Sequence, residues 1–316
     1  MPQQQTDSTA LAWVESPLQL LGAAEWAARR IRERGAPTAV AYRISDPQVV
    51  ATAEALHEMG APFSRYEPYL GIPWTRLASA RHWVIGDPLS GQFRAAVSVL
   101  RAPRRLSVLD DGAMIAHTLR AVAGELPYAR PGQHETGGRR MLGELAGAKL
   151  RRLAQARRLD VLTAFPAAHA PAERLGAPVT VNDFAWLRAA ALRGDAPRVP
   201  LPVRRIALGT ARVADELLSP AEHLAWVRRV ASGGPVAYLP HRREPGERIE
   251  AVAAIRGVTV VRTGLPVELA LAGAAEPLEL YTLPSSATTT LAAVLAGTRT
   301  VIRTERTRNA RSEAIA

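Results

Sequence analysis

Short apolar runs alternate with helical stretches along most of the chain, and this alternation constrains the fold more than any single residue does. Residues 11–15 form an apolar run that stops at Ser16-Pro17, and a helical pattern with Leu20, Ala24, Ala27 and Ile31 on one face follows from 18 to 35. Strands are predicted over 38–42, 82–85, 105–109 and 160–165, and a helix over 47–59 closed by Gly60. A loop rich in Gly, Pro and polar residues spans 127–138, and a basic helix is predicted over 141–158. Beyond a proline-bearing linker at 193–203 the alternation resumes, with strands at 206–208, 236–239, 258–261, 278–283 and 300–302. Parallel neighbours need crossover connections, so strands alternating with helices predict an α/β chain with parallel sheets covered on both faces. The expected domains are residues 1–195 and 204–316, each Rossmann-like.

Composition narrows the class further. A chain of 316 residues that is 47% hydrophobic can bury about two cores, which excludes disorder and a disulfide-held miniprotein. Without cysteine there is no disulfide, thiolate nucleophile or zinc-thiolate cluster. The first six residues carry no basic lead into an apolar core, and no apolar run reaches the roughly 18 residues of a membrane span, so a cytoplasmic protein is expected.

The net charge of +11 predicts attraction to anions, but its distribution is diffuse. Lys149 is the single lysine among 40 basic residues, and the arginines fall in scattered pairs such as Arg104-Arg105 and Arg157-Arg158. No zinc finger, aromatic-basic repeat or coherent basic helix points to nucleic acid, so no nucleic-acid partner is expected. A solvated basic surface is one reading; nucleotide phosphates, acidic glycans and the anionic inner face of a membrane are the others.

In open parallel sheets ligands bind beyond the carboxyl ends of strands, so the residues there carry the chemistry. Asp110-Asp111-Gly112 follows the strand at 105–109 and can supply a general base, although an ordinary acidic turn has the same look. Successive strand residues face opposite sides, so one aspartate serves as base while the other holds the turn. The more rigid position favours Asp110, with a turn able to present Asp111 instead. His241 follows the strand at 236–239 beside Arg242 and Arg243, a combination that suits an anionic leaving group. The other histidines, at 57, 82, 117, 134, 169 and 223, lack metal-ligand spacing and read as structural. Ser285-Ser286 opens a helix at 287–295, where hydroxyls and free N–H groups favour phosphate; a plain N-cap explains only one of the two. Gly209, after the strand at 206–208, is a candidate for the loop beneath a nucleotide. No dinucleotide fingerprint or Walker loop is present.

In order and strand-end placement these motifs resemble the bacterial sialyltransferases, nearest the capsular polysialyltransferase and lipooligosaccharide sialyltransferase group. That group's carboxylate-carboxylate-Gly motif matches Asp110-Asp111-Gly112, its His-Pro motif matches at His241 with Arg242 in place of Pro, and its paired Ser/Thr motif matches Ser285-Ser286. Glu268 falls where such enzymes hold the cytidine ribose, and Ser16, Pro17, Gln19 and Asp87 lie in segments similar to the group's acceptor side. The resemblance implies a GT-B fold of two Rossmann-like domains facing a cleft, with the acceptor and base on the first and a CMP-sugar on the second, near Gly209, Arg242, Glu268, Ser285 and Ser286. It implies inverting, metal-independent transfer of sialic acid or a related nonulosonic acid to a glycan or glycolipid hydroxyl, without a cofactor, and leaves room for peripheral contact with an anionic membrane. Two other readings stand beside it: a GT-B transferase using a UDP- or GDP-sugar, and a non-catalytic binder of anionic polymers.

Overall fold

A computed structural model describes residues 10–110 and 112–305, and the chain divides into two compact units that meet at Ala190 and Ala191. The first unit runs β1 (Ala10–Val14), α1 (Pro17–Arg34), β2 (Thr38–Arg43), α2 (Pro47–Glu58), β3 (Phe63–Tyr69), α3 (Trp74–Ser79), β4 (His82–Ile85), α4 (Gly91–Val99), β5 (Arg105–Leu109), α5 (Met114–Ala123), α6 (Gly137–Gln155), β6 (Leu159–Thr163), α7 (His169–Leu175) and β7 (Val179–Val181), and ends within α8 (Ala185–Arg193). Its seven strands are all parallel, in the order β3-β2-β1-β4-β5-β6-β7. The chain winds outward from β1 through β2 and β3, then returns to the other side of β1 at β4, so the topological switch lies between β1 and β4.

The central strands are buried on both faces, which is why they read as uninterrupted apolar runs: every residue of β1 and β4 is buried. Leu11, Trp13, Trp83, Ile85, Leu106 and Val108 point to one side and pack with residues of α4, α5 and α6. The first helix starts where the sequence predicts, because Ser16 caps it and Pro17 supplies a preset φ in its first turn. Far along the chain, α8 is tied back to α1 by Glu25, whose carboxylate accepts from the N–H groups of Trp186 at 2.9 Å and Leu187 at 2.8 Å.

The second unit contains β8 (Arg205–Leu208), α9 (Pro220–Ser232), β9 (Val236–Leu239), α10 (Gly246–Ala253), β10 (Val258–Val260), α11 (Val267–Ala272), β11 (Glu279–Thr282), α12 (Ser286–Val294) and β12 (Val301–Thr304). Its five strands are parallel in the order β10-β9-β8-β11-β12, the same winding on a smaller scale, with the switch between β8 and β11. Trp226, Val227, Val230, Val236, Tyr238 and Val252 form a core on one side of this sheet.

The sequence reading and the structure part at the edges. The edge strands β3 and β7 have no apolar run, since most of their residues are half-buried or exposed and β3 carries Pro68. The basic helix predicted over 141–158 is α6, which begins at Gly137 inside the predicted loop and ends at Gln155. Arg157 has φ 53 and the N–H of Arg158 donates to the Leu153 carbonyl at 2.8 Å, so the chain leaves the helix before its last arginines. Among the described residues, no helix is long and apolar enough to cross a membrane.

Candidate functional site

In the second unit the carboxyl ends of β9, β8 and β11 stand side by side, and His241, Gly209 and Ser285 follow them. Gly209 is demanded by contact: a Cβ there would lie 2.1 Å from Glu244 Oε1 and 2.3 Å from the His241 backbone nitrogen. Its own N–H donates to the Leu239 carbonyl at 2.7 Å, which draws the two strand-end loops together. Glu244 completes the junction. One carboxylate oxygen accepts from the N–H of Thr210 at 2.8 Å and of His241 at 3.0 Å, and the other accepts from the Tyr238 hydroxyl at 2.6 Å. Behind it, His223 Nε2 lies 3.2 Å from the Tyr238 hydroxyl, and both side chains are fully buried. Tyr238 gives its proton to Glu244, so His223 is the donor in that second bond and carries hydrogen on Nε2.

The His241 ring is held neutral. Burial, then the positive charges of Arg242 and Arg243, pull its pKa down to about 4, with Asp215 opposing them. Its Nδ1 accepts the Arg243 N–H at 3.2 Å, so the remaining hydrogen sits on Nε2. The ring is therefore a hydrogen-bond donor rather than a store of acid near neutral pH. Arg242 and Arg243 are exposed, and Arg243 pairs with Asp215 at 2.7 Å.

Ser285 is the N-cap of α12, in extended backbone with φ −157, but its side chain makes no capping bond. Ser285 and Ser286 are both exposed, so two hydroxyls and the first-turn N–H groups gather where the helix dipole favours negative charge. Glu268 lies in the first turn of α11 and is buried; its carboxylate accepts from the Thr290 hydroxyl of α12 at 2.5 Å, and burial pushes its pKa up.

The switch point of the first unit is built differently. The Gln19 side chain is buried and its Oε1 accepts from the Glu15 N–H at 2.8 Å, lying where a Cβ on Gly86 would fall. Ser16 and Pro17 are consumed in starting α1. Glu15 pairs with Arg43 at 2.9 Å, and Asp87 pairs with Arg130 while accepting from the Leu89 N–H at 2.9 Å. Burial raises the Glu15 pKa, Arg43 lowers it, and Asp87 adds a further upward push. Asp110 is 3% exposed and its Oδ2 accepts from the Ala164 N–H at 2.6 Å, across the end of β6. Its neighbour Asp111 lies outside the described residues, and Gly112 turns the chain with φ 66.

Sequence reasoning found the strand-end residues but missed Glu244, Tyr238 and His223. Glu244 ends an Arg-Arg-Glu run that looks like solvated charge, and His223 reads as an isolated core histidine. The available signal was a carboxylate three residues after His241, close enough to reach back to that residue's own N–H. Among the described residues, no three His, Asp or Glu side chains gather as metal ligands.

No family model matches the chain, and no curated protein matches it. Solved structures do. A provisionally assigned UDP-N-acetylglucosamine 2-epimerase from Listeria monocytogenes superposes with a TM-score of 0.51 at 11% identity, over 87% of this chain and 73% of its own. The E. coli heptosyltransferase WaaC, solved with ADP-2-deoxy-2-fluoro heptose, gives 0.46 at 14% identity, over 93% of this chain and 92% of its own. Phytolacca americana UGT2, complexed with UDP-2-fluoro-glucose and pterostilbene, gives 0.44 at 12% identity, over 94% and 81%. The fold is α/β of the GT-B type, built from two Rossmann-like parallel-sheet units in one chain.

Proposed function

We propose that the protein is an inverting glycosyltransferase that uses a nucleotide-activated sugar, with CMP-sialic acid or a related CMP-nonulosonic acid as the donor. The observation that carries the reading is the second unit's strand-end cluster: a neutral His241 with its hydrogen on Nε2, the exposed Ser285 and Ser286 at the start of α12, and Gly209 between them. These groups supply donors to a departing phosphate without requiring a metal. Gly209 lies beneath the nucleotide, Arg242 adds charge at the phosphate, and Glu268 holds the cytidine ribose. A phosphate leaving group is a weak base, so a hydrogen bond from His241 serves it better than a proton.

The acceptor hydroxyl loses its proton to the Asp110-Asp111 motif and attacks the anomeric carbon as CMP leaves. Of the pair, Asp110 is buried and bound to the Ala164 N–H just beyond β6, the attributes of a residue that holds strand ends together rather than of an accessible base. That moves the role of base to Asp111, against the preference for Asp110 drawn from strand rigidity. Ser16, Pro17, Gln19 and Asp87 shape the acceptor side through the loops they brace. A glycan or glycolipid acceptor fits this chemistry, and contact of the protein with the anionic inner face of a membrane belongs to the same reading.

The deciding experiment presents CMP-, UDP- and GDP-sugars in parallel and measures slow donor hydrolysis without acceptor. Turnover of a CMP-sugar alone supports the proposal; turnover of a UDP- or GDP-sugar instead makes this a GT-B transferase of another donor class. No turnover of any, with polyanion affinity falling steeply with salt, leaves a non-catalytic binder. Replacing Asp111 by Asn should cut transfer by about 100-fold or more with CMP binding intact. Asp110→Asn should mainly lower thermal stability, and the reverse pattern would return the base to Asp110.

A further inference from the structure

At the amino-terminal edge of the first sheet, the end opposite Gln19, Asp87 and Asp110, arginine marks the returns from helix to strand. Arg34 closes α1 before β2, Arg81 precedes β4, Arg101 lies just past α4, Arg104 precedes β5, and Arg157 lies just past α6 before β6. Because β4, β5 and β6 are parallel neighbours, these residues are brought side by side. The Arg104 N–H donates to the Arg81 carbonyl at 2.8 Å, and the Leu106 N–H donates to the Arg158 carbonyl at 2.9 Å. Arg34 belongs to the same patch, since its charge acts on both His82 of β4 and Asp160 of β6.

Two kinds of arginine meet here. Arg105 pairs with Asp160 at 3.4 Å and Arg158 donates to the Arg104 carbonyl at 2.5 Å, so both help hold the strands. Arg34, Arg81, Arg101, Arg104 and Arg157 are exposed, and among the described residues their side chains carry no hydrogen bond or ion pair. Helix C-termini favour a positive charge, which accounts for part of the pattern. It does not account for Arg157, whose φ of 53 places it in the left-handed region where glycine is the unstrained choice.

An aliphatic side chain accompanies this charge. Val99, at the end of α4, is 75% exposed. The Lys149 ammonium donates to the carbonyls of Val97 at 2.5 Å and Ser98 at 3.0 Å, pinning the end of α4 beside it against α6. Among the described residues of the unit, the exposed large aromatic is Trp74, which starts α3 at the end away from Arg81.

We propose that this edge of the first unit docks on an anionic lipid surface, with the arginines on headgroup phosphates and Val99 entering the headgroup boundary. Guanidinium groups match phosphate oxygens, and exposed aliphatics gain from lipid but nothing from a soluble polyanion. A single-stranded nucleic acid would instead call for aromatic stacking platforms. The proposal gives a place to the membrane contact named with the glycosyltransferase reading, but its test measures binding and not transfer, so either can fail without the other; docking this way turns the strand carboxyl ends of the first unit away from the bilayer.

The test is flotation of the full chain with phosphatidylcholine vesicles, with and without phosphatidylglycerol. Binding should require phosphatidylglycerol and weaken as salt is raised. The triple variant Arg81→Glu, Arg104→Glu, Arg157→Glu should lose affinity on the order of 100-fold or more, whereas reversing Arg198, Arg228 and Arg262 in the second unit should cost far less. Arg157→Gly alone should weaken binding while leaving thermal stability unchanged or higher, which separates docking from folding. Equal losses from the two triple variants would mean net charge without a docking face, and tighter binding to a single-stranded oligonucleotide than to the vesicles would make the edge a polyanion site. Either result, or undiminished binding by the first triple variant while circular dichroism shows it folded, overturns the proposal.

Discussion

The two switch points share a topology and differ in what they leave unused. In the first unit the loops after β1 and β4 are closed on themselves: Gln19 folds back over Gly86, and Glu15 and Asp87 each hold an arginine. In the second, the loops are braced from behind by Glu244, while donors at His241, Ser285 and Ser286 face outward or stay unspent on capping. The same winding of strands therefore yields one edge whose polar groups satisfy each other and one that offers donors to an anion. Topology marks where a site can be; the local partners decide whether anything is left to bind with.

The contrast predicts unequal costs for matched substitutions. Removing the His241 side chain should lower turnover on the order of 100-fold while scarcely moving the acceptor KM, whereas Gln19→Ala should change turnover by only a few-fold. Steady-state kinetics with saturating donor would show this, and equal losses would mean that both edges meet the reacting phosphate.

The two glycines sharpen the comparison. A Cβ on Gly209 meets backbone atoms of His241 and Pro240 as well as Glu244, but on Gly86 it meets the Gln19 side chain, which can swing away. Gly209→Ala should destabilise by roughly 1–3 kcal/mol and abolish measurable nucleotide binding. Gly86→Ala should cost less and leave nucleotide binding alone; denaturant titration with and without CMP reads both.

Glu244 is a brace with no counterpart at the first unit's switch point among the described residues. Glu244→Gln keeps its size but alters a carboxylate that accepts three donors, so nucleotide binding should weaken by about tenfold, a change worth about 1.4 kcal/mol. Tyr238→Phe, which removes one of those three bonds, should cost less. Calorimetric titration with CMP would order the two, and a larger loss from Tyr238→Phe would move the brace to the tyrosine.

The smallest effects concern protons. His223, fully buried, has its pKa lowered to about 4 by burial and then by Arg248. An unfolded imidazole takes a proton near pH 6.5 while this one waits until about 4, so acid favours the unfolded chain. Stability present above pH 6.5 should fall toward pH 4, by up to about 1.4 kcal/mol per pH unit from this group. For His241, proton NMR should give a midpoint near 4 that rises when CMP binds, because a phosphate favours the charged ring. A midpoint indifferent to CMP would separate His241 from the phosphate.

Much of this was legible in the chain. The central strands announce themselves because burial on both faces demands unbroken apolar runs, and α1 because Ser16-Pro17 is a strong start signal. Strand-end placement of Gly209, His241 and Ser285 followed from those strands. The edge strands β3 and β7 were illegible because one flank of each is solvent and no apolar run is needed there.

By itself the sequence determined the alternation, the parallel sheets and the order of the polar residues that follow the strands, since these depend on local periodicity and on the short reach of crossover connections. Tertiary structure alone decided that Glu244 reaches Thr210 and His241 together, that Gln19 is spent inside its own loop, and that Asp110 is buried against Ala164. It likewise brought Arg81, Arg104 and Arg157 to one edge. Pairing parallel strands places side by side residues that are dozens of positions apart, and whether a polar group is spent or available depends on those neighbours rather than on its neighbours in sequence.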